Sequence, residues 1–511
     1  MTMTAMPSIG ASSSGSIWDS IDWTTMEKYV RRLQMRIAKA ARERRWGKVK
    51  ALQWLLTHSF SAKLLAVKRV VQNRGRRTAG VDGKTWTTSK QKLDAVRSLE
   101  RRGYRPQPLR RIYVPKRNGK KRPLGIPTMG DRAMQALSLL ALEPVAETTA
   151  DGNSYGFRPR RSAADAIEQC FTVLSQRRSA QWILEGDIKS CFDRISHSWL
   201  MANIPMDKTV LSKWLAAGYM EKGSFYLTEA GTPQGGIASP VLANMALDGL
   251  EEAVRMTVAR NQKVHVVRYA DDFIITGASK EVLEDKVMPA VVAFLKTRGL
   301  ELSGEKTCIR QIRDGFDFLG FNIRKYANGK LLTKPSRSSV KIVLGGIRDF
   351  IKSNKTAPTE MVIRQLNAKI RGWANYHRHA VAKKTFGYVD HHIFLALWSW
   401  AQRRHPDKGA RWIRRRYFRS KGLRNWVFSV STHDREGNVS HLDLFQAASI
   451  KITRHVKIRA AATPYDPAYA DYLKIRALRN RGRPSAQWDG RPACRSHEPR
   501  QTGHPGQIPG L

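Results

Sequence analysis

The stretch that decides the fold is His265-Val-Val-Arg-Tyr-Ala-Asp-Asp-Phe-Ile-Ile275, in which two adjacent carboxylates interrupt an apolar run that then resumes. β-branched and aromatic residues on both sides of a short polar break are typical of a strand, a tight turn and a second strand. At the tip of such a hairpin, Asp271 and Asp272 repel each other unless a cation lies beside them. The pattern predicts a hairpin with a cation site, and a solvated Asp-Asp turn is the competing interpretation.

Another carboxylate ends a short apolar stretch upstream. Trp182-Ile-Leu-Glu-Gly-Asp-Ile-Lys-Ser-Cys-Phe-Asp193 places Asp187 at the end of a predicted strand, from which its carboxylate can face the hairpin. Mg²⁺ is commonly held by one or two carboxylates together with substrate phosphates, and a pair of such ions can activate a hydroxyl and stabilise a leaving group. Three acids on neighbouring strands therefore favour phosphoryl transfer with two Mg²⁺ ions as the cofactor.

The composition points to a polyanionic partner. The 511 residues include 90 Lys and Arg against 42 Asp and Glu, which gives a formal net charge of +48. This excess is spread along the whole chain, and it would repel itself unless a polyanion covered much of the surface. Nucleic acid is the expected partner. Basic residues retained for solubility alone are the weaker alternative, because acidic residues serve solubility better.

Cysteine usage and hydropathy bear on the compartment. Cys170, Cys191, Cys308 and Cys494 form no CxxC pair, so neither a disulfide framework nor a cysteine zinc site is indicated. The Ser-rich start lacks the apolar core of a signal peptide, and no later apolar stretch is long enough to cross a bilayer. The sequence therefore predicts a cytoplasmic protein with no membrane partner.

Periodicity and composition divide the chain into five regions. Short β-rich runs alternate with helical ones around the two acidic motifs, which is typical of an α+β domain, and a helical, Trp-rich pattern follows. The predicted regions are an N-terminal helical extension (1–58), the α+β region (59–330), the helical region (336–425), a basic segment (426–478) and a disordered or remnant tail (479–511).

Seven blocks in chain order resemble the motifs of reverse transcriptases. They are Arg110-Arg-Ile-Tyr-Val-Pro-Lys-Arg-Asn-Gly-Lys-Lys-Arg-Pro-Leu-Gly-Ile-Pro127, Tyr155-Gly-Phe-Arg-Pro159, Gly186-Asp-Ile-Lys-Ser-Cys-Phe-Asp193, Gly231-Thr-Pro-Gln-Gly-Gly-Ile-Ala-Ser-Pro240, the Asp-Asp hairpin, Gly299-Leu-Glu-Leu-Ser-Gly-Glu-Lys-Thr307 and Phe318-Leu-Gly-Phe321. A single motif would be weak, but seven in the same order are specific. The resemblance implies an α+β right-hand polymerase, with fingers and palm built on antiparallel sheet and an α-helical thumb behind them.

By this resemblance Asp187, Asp271 and Asp272 form the catalytic cluster. Asp187 and Asp271 are expected to bind the metal directly, with Asp272 acting less directly. Phe192 matches the aromatic residue that closes the sugar pocket in the family. It would collide with a ribose 2′-hydroxyl, so the resemblance implies selection of deoxynucleoside triphosphates by shape.

Other nucleotide contacts follow from the same blocks. Arg110, Lys116 and Arg122 would clamp the triphosphate, because guanidinium and ammonium groups suit phosphate oxygens; without the family they would read as an ordinary basic hairpin. Gln234 lies between glycine and proline residues and would contact the sugar or base. Two further roles are implied: Arg158 would hold the template backbone, and Lys306 is a candidate proton donor for pyrophosphate.

The helical region resembles the maturase, or thumb, domain of bacterial group II intron-encoded proteins. The resemblance lies in Gln365-Leu-Asn-Ala-Lys-Ile-Arg-Gly-Trp-Ala-Asn-Tyr-His-Arg-His379 and Phe394-Leu-Ala-Leu-Trp-Ser-Trp-Ala401. It implies that intron RNA is a partner, since dispersed cations suit RNA that is recognised by its shape and backbone. The basic residues expected on that face are Arg371, Lys383, Lys384, Arg403 and Arg404.

Downstream, Val456-Lys-Ile-Arg459 and Ala462-Thr-Pro-Tyr-Asp-Pro467 resemble the short DNA-binding segment of the same proteins, which implies a DNA target as a further partner. Longer relatives continue into an HNH endonuclease with paired cysteines and histidines. Here only Cys494 and His497 stand in a Pro/Gly-rich tail, so a complete endonuclease is not expected.

Together these features predict an RNA-directed DNA polymerase that binds its group II intron RNA, assists splicing as a maturase and reverse-transcribes the intron for mobility. Two alternatives remain at this stage. One is an RNA-binding splicing cofactor without polymerase activity, and the other is a reverse transcriptase of the retron or defence type. The sequence predicts no particular oligomeric state.

Overall fold

A computed structural model describes residues 16–115, 121–232, 235–433 and 437–481 of the chain. A π-helical stretch, Val282–Val287, runs directly into one of the α-helices. The α-helices are α1 (Ser16–Asp19), α2 (Trp23–Arg42), α3 (Trp46–His58), α4 (Phe60–Gln72), α5 (Ser89–Ser98), α6 (Met129–Thr149), α7 (Ala163–Leu174), α8 (Cys191–Arg194), α9 (His197–Asn203), α10 (Lys208–Leu215), α11 (Ser239–Leu247), α12 (Leu250–Arg255), α13 (Met288–Lys296), α14 (Arg337–Ser353), α15 (Thr359–His377), α16 (Lys383–Arg404), α17 (Ala410–Tyr417) and α18 (Ala470–Arg481).

The strands form sheets in the fingers, the palm and the region that follows. They are β1 (Leu109–Pro115), β2 (Lys121–Ile126), β3 (Trp182–Asp187), β4 (Tyr219–Glu221), β5 (Ser224–Tyr226), β6 (Val266–Tyr269), β7 (Asp272–Gly277), β8 (Cys308–Gln311), β9 (Phe316–Phe318), β10 (Phe321–Lys325), β11 (Leu331–Pro335), β12 (Phe418–Lys421), β13 (Arg424–His433) and β14 (Val439–Asp443). The sheet orders are β2-β1-β4-β5, β6-β7-β3-β8, β11-β10-β9 and β12-β13-β14.

The palm sheet is antiparallel, and its strands β3, β6 and β7 are largely buried on both faces. Successive side chains of a strand point to opposite faces, so neighbouring residues of β3 and β7 enter different cores. Leu184 and Phe273 pack with α6, whereas Ile183 and Ile274 pack with α7 and the β9–β11 sheet. Burial on both faces explains why these strands are continuous apolar runs. The predicted α+β fold is confirmed.

The N-terminal helices pack as one unit on the palm. The Asp22 carboxylate caps α2 by accepting hydrogen bonds from the backbone N–H groups of Thr24 and Thr25, at 3.0 and 3.2 Å. The buried side chains of α2, α3 and α4 belong to the same hydrophobic core as α6. The described part of this region is helical, while residues 1–15 lie outside the described residues. The packing is continuous across the predicted boundary at residue 58.

The helical region behind the palm has its own hydrophobic core. Helix α15 buries Ile363, Leu366 and Ile370, with Trp373 partly buried, in the same core as α14 and α16. The region is not helical to its predicted end, however. Strand β12 and the start of β13 fall before residue 425, and β14 completes an antiparallel sheet whose Phe418 and Phe428 side chains belong to the same core. The aromatic residues of these short strands pack against α16, which favours sheet over helix here.

The C-terminal segment, residues 453–476, lies against the palm. Ile458 and Ala462 are buried in the core beneath α7. The backbone carbonyl of Pro464 accepts a hydrogen bond from the Arg31 guanidinium of α2, and Tyr465 donates to the Glu143 carboxylate of α6. The segment therefore joins the end of the described chain to its first long helix.

The predicted tail is only partly described. Residues 479–481 complete α18, and the rest of the tail, including Cys494 and His497, lies outside the described residues. No helix within the described ranges combines the length and the apolar content needed to cross a membrane.

Candidate active site

Three carboxylates meet at one end of the palm sheet. Asp187 is the last residue of β3, and it stands opposite Asp272, the first residue of β7. Tyr269 pairs with Asp272 across the β6–β7 hairpin, so Ala270 and Asp271 form a two-residue turn. Ala270 adopts a left-handed conformation, with φ of 59°, as such a tight turn requires. The predicted strand, turn and strand are confirmed.

The carboxylates at this end of the sheet are short of positive charge. Burial, followed by the negative charge of Asp187, raises the pKa of Asp271, while Arg122 and Lys306 oppose this rise. Asp272 reaches solvent at the rim, yet the protein atoms crowded around it, then Asp271 and Asp187, raise its pKa to about 7. A cation bound here would relieve that repulsion.

The ammonium group of Lys306 already lies at the cluster. Its Nζ donates a hydrogen bond to Asp187 Oδ2 at 2.9 Å, and this contact raises the pKa of the lysine. Across the described ranges, no three His, Cys, Asp or Glu side chains are arranged closely enough to hold a metal ion unaided. The donor set nevertheless fits Mg²⁺, because hard carboxylate oxygens from one or two residues suffice when substrate phosphates complete the shell.

One face of the fingers hairpin carries Arg110 and Arg122, of which Arg122 lies near this cluster. Arg110 pairs with Ile126 and Arg122 with Val114, so both arginines project from the same face of the β1–β2 hairpin. Arg122 lies near enough to Asp271 to lower the pKa of its carboxyl. The buried Nε of Arg110 has no hydrogen-bond partner among the described residues, which leaves a donor for a ligand. Lys116, predicted to act with these two, lies outside the described residues.

Phe192 and the glycine-rich loop are in direct contact. The half-buried Phe192 ring packs edge-on against Phe157, with ring centroids 6.2 Å apart. Its carbonyl accepts a hydrogen bond from the Thr232 backbone N–H at 2.6 Å. A Cβ at Gly231, whose φ is 87°, would lie only 2.6 Å from that carbonyl oxygen, so the loop needs glycine there. Gln234 lies outside the described residues, and the sugar-gate role of Phe192 stays a prediction.

The predicted template contact of Arg158 is wrong. Its side chain is buried and forms a two-pronged ion pair with Glu147, Nε to Oε1 at 2.9 Å and Nη2 to Oε2 at 3.0 Å. Its Nη1 donates to the backbone carbonyls of Asp151 and Ser154. Because all these donors are used inside the protein, Arg158 fixes the local fold and is not accessible to a phosphate backbone.

The sequence reasoning missed Arg268, which supports the catalytic hairpin from beneath. This buried guanidinium donates to Asn244 Oδ1 at 3.2 Å and to the Asp248 carboxylate. Asn244 in turn donates to the carbonyl of Gly156 at 2.8 Å, and a Cβ at Gly156 would lie 2.4 Å from the Ala270 nitrogen. The signal was present in the sequence, since an arginine inside an apolar strand requires buried partners.

The five predicted RNA-binding cations do not form one patch. Arg371, Lys383, Lys384 and Arg403 are exposed, and Arg404 is partly buried. Lys383 donates to the backbone carbonyls of Ala448 and Ile450, and Arg404 donates to that of Ala357, so these two also hold the domain together. Lys383 and Lys384 begin α16, whereas Arg403 and Arg404 end it. At a rise of 1.5 Å per residue, these two pairs lie about 30 Å apart.

A buried carboxylate outside the catalytic cluster anchors the C-terminal segment. Asp165 of α7 is fully buried, and its Oδ1 lies 3.0 Å from His455 Nε2 and accepts hydrogen bonds from the Ile458 backbone N–H at 2.8 Å and from Arg476. Its Oδ2 accepts from the backbone and hydroxyl of Ser162, both at 2.9 Å. The predicted DNA contact of Val456–Arg459 stays a prediction, and Ile458 of that stretch packs in the palm core.

Family profiles match three successive parts of the chain. The profile described as "Reverse transcriptase (RNA-dependent DNA polymerase)" matches residues 114–323. "N-terminal domain of reverse transcriptase" matches residues 18–99, and "Group II intron, maturase-specific domain" matches residues 340–418. The first covers the palm with its three carboxylates, and the last covers α14 to α17.

Curated relatives agree with these profiles. The chain is similar to Protein YkfC of Escherichia coli (strain K12), with 33% identity over 303 residues, which cover 50% of this chain and 79% of that protein. It is similar to the Group II intron-encoded protein LtrA of Lactococcus lactis subsp. cremoris, with 29% identity over 398 residues, covering 63% of this chain and 65% of LtrA. Maturase-like protein 1 of Euglena gracilis is 24% identical over 402 residues, which cover 75% of this chain and 82% of that protein.

Proposed function

This chain belongs to the reverse transcriptases and maturases encoded by group II introns, and from that premise we propose that it copies its own intron RNA into DNA and assists the splicing of that RNA. The observation that carries the proposal is the meeting of Asp187, Asp271 and Asp272 at one end of the palm sheet, beside Arg122 and Lys306.

Reverse transcriptase domains generally use divalent metal ions, and we propose two Mg²⁺ ions held by Asp187 and Asp271, with Asp272 beside them. When bound, they supply charge neutralisation and activation of the primer hydroxyl. The ammonium of Lys306 then leaves Asp187 and donates a proton to the departing pyrophosphate. Asp187 and Asp272 end paired strands, and Asp271 lies in the tight turn next to Asp272, which keeps this geometry rigid.

The nucleotide is a deoxynucleoside triphosphate in this proposal. Arg110, Lys116 and Arg122 bind its phosphates, because the two arginines share one face of the fingers hairpin and Arg110 retains an unused donor. Gln234 contacts the sugar or base. Phe192 excludes a 2′-hydroxyl, since it lies in the short helix α8, five residues beyond Asp187 at the end of β3.

Intron RNA binds across the maturase domain and the wider basic surface. Of the cations predicted for this domain, Arg371, Lys383, Lys384 and Arg403 are exposed, and Lys383 and Arg404 also serve internal contacts. A DNA target is the partner during insertion, and the free thiols of Cys170, Cys191 and Cys308 suit work in a reducing cytoplasm. The maturase-specific domain argues against a retron or defence enzyme.

Primer extension on an RNA template with Mg²⁺ tests the polymerase. We expect Asp271→Asn to reduce extension by roughly a thousandfold or more, because a direct metal ligand is removed. The matched control is Asp285→Asn, an exposed aspartate outside the cluster, which should extend like the wild type. Wild-type extension by Asp271→Asn would refute the assignment. A protein that assists splicing but never extends a primer would be the pure cofactor.

The sugar gate has a separate test. We expect Phe192→Ala to raise incorporation of ribonucleotides relative to deoxynucleotides by roughly tenfold to a hundredfold, since the steric exclusion of the 2′-hydroxyl disappears. Single-nucleotide extension with each triphosphate measures the ratio. Phe171→Ala, which removes a partly buried ring from α7, should leave the ratio unchanged. An unchanged ratio in Phe192→Ala would remove Phe192 from the site.

A further inference from the structure

Helix α17 and the β12–β13 hairpin carry a continuous basic surface. No Asp or Glu occurs between Ala410 and Trp426. Helix α17 buries Ile413 and Tyr417 and leaves its arginines exposed. The basic residues of this stretch are Arg411, Arg414, Arg415, Arg416, Arg419, Lys421 and Arg424. Arg419 and Lys421 pair with Asp443 of β14, but the four exposed arginines of α17 have no acid within this stretch, and such a cluster attracts a polyanion.

The hairpin is held rigidly against this helix. The Trp426 ring packs against Trp398 of α16 and Phe418 of β12, with ring centroids 5.6 and 5.8 Å away. The Arg414 guanidinium of α17 lies 4.8 Å from the centroid of the same Trp426 ring. On the other side Arg419 forms two 2.8 Å hydrogen bonds to Asp443. The tip of the hairpin therefore has a fixed position beside the arginines.

The tip presents an apolar side chain to solvent. Lys421 pairs with Arg424, so Gly422, with φ of 56°, and Leu423 form the turn. Leu423 is fully exposed and packs against nothing in the described chain. Tight turns favour small polar residues, so a leucine between two cations at this position is unusual for a surface with no ligand.

We propose that this surface binds double-stranded DNA from the minor groove and inserts Leu423 between base pairs. The inference deepens the DNA target of the proposed function and rests on it. Proteins that kink DNA through the minor groove combine arginines with an inserted apolar residue such as leucine. A narrow minor groove attracts arginine, whereas the shallow minor groove of duplex RNA is recognised by shape and by its 2′-hydroxyls. DNA is therefore the favoured partner.

The test uses the full chain, a DNA duplex carrying 2-aminopurine and an RNA duplex of the same sequence. Wild-type protein should bind the DNA and increase 2-aminopurine fluorescence by unstacking the base. Leu423→Ala should weaken binding by roughly tenfold, the value of burying one leucine, and should abolish the fluorescence increase even at saturation. The control Leu55→Ala, which truncates an exposed leucine of α3, should behave like the wild type.

Replacing arginines of α17 should change the salt dependence of DNA binding. Arg415→Gln combined with Arg416→Gln should weaken binding and lower the slope of log affinity against log salt by about one for each phosphate that is no longer neutralised, while fluorescence still rises at saturation. The proposal is overturned if Leu423→Ala keeps the wild-type fluorescence increase, or if these substitutions weaken binding of the RNA duplex and spare the DNA. Primer extension on RNA, measured with the same preparations, reports separately on the polymerase.

Discussion

Two carboxylate sites in the same palm are built in opposite ways. At the catalytic end of the sheet, Asp272 has like charges beside it, and crowding raises its pKa to about 7. Beneath α7, Asp165 is fully buried, and burial alone would raise its pKa, but His455, Arg476 and the Ile458 N–H lower it to about 2. A carboxylate that binds an exchangeable cation has too few positive partners in the protein itself, whereas a carboxylate that stabilises the fold has a hydrogen-bond donor for each oxygen.

The largest expected effect is the loss of stability when the Asp165 carboxylate is removed. Asp165→Asn should reduce the free energy of unfolding by about 3 kcal/mol, because it leaves the buried Arg476 without its counter-charge. Urea denaturation at pH 7 measures the reduction. The lowered pKa gives a direction: the wild-type advantage exists above the unfolded pKa of 3.8 and disappears as the pH falls through about 2.

A surface aspartate provides the control for that reduction. Asp94→Asn removes an exposed carboxylate that lies 3.6 Å from Arg97, and its effect should stay within about 0.5 kcal/mol. Equal destabilisation of the two variants would show that Asp165 is no anchor.

Divalent metal should distinguish the two sites next. At about tenfold its dissociation constant, Mg²⁺ should stabilise the wild type by about 1.4 kcal/mol, since it binds only the folded state. Thermal unfolding at matched ionic strength measures this shift. Asp271→Asn should abolish it, while Asp165→Asn should keep it. A shift that survives in Asp271→Asn would mean that the metal binds elsewhere.

The smallest expected effect is a gain in stability rather than a loss. Without divalent metal, Asp272→Asn should raise the free energy of unfolding by no more than about 1 kcal/mol, because solvent screens this exposed group. A raised pKa means that ionisation destabilises the folded state. The variant should therefore become more stable than the wild type as the pH rises from about 4 to about 7, and this difference in the free energy of unfolding should vanish below that range. Denaturation curves in the presence of a chelator would reveal it, and a destabilised variant at pH 8 would contradict the comparison.

The catalytic hairpin could be predicted because its signal is local. Adjacent acids between β-forming residues need no distant partner to be recognised, and Asp187 ends an equally clear apolar run. Arg158 was misread because Glu147, its ion-pair partner, lies in a helix eleven residues earlier, and nothing local distinguishes a paired arginine from a free one. The Asp165 site joins residues nearly three hundred positions apart, which no periodicity can reveal.

The sheet β12–β14 was missed for a different reason. Its strands are short and follow a long amphipathic region, so the helical pattern was extended too far. Tertiary packing of Phe418 and Phe428 against α16 decides the conformation there, and strand propensity depends on such context.

The attachment of the C-terminal segment to α2 and α7 has a consequence for biosynthesis. All seven polymerase motifs leave the ribosome before residues 453–476 do, yet Asp165 Oδ1 and the Arg31 guanidinium find the partners described above only in those late residues. Until translation is nearly finished, a nascent chain would lack the His455 and Arg476 partners that compensate the Asp165 carboxylate in the finished fold. A premature stop codon near residue 452 would therefore inactivate the enzyme, although every catalytic side chain would still be present.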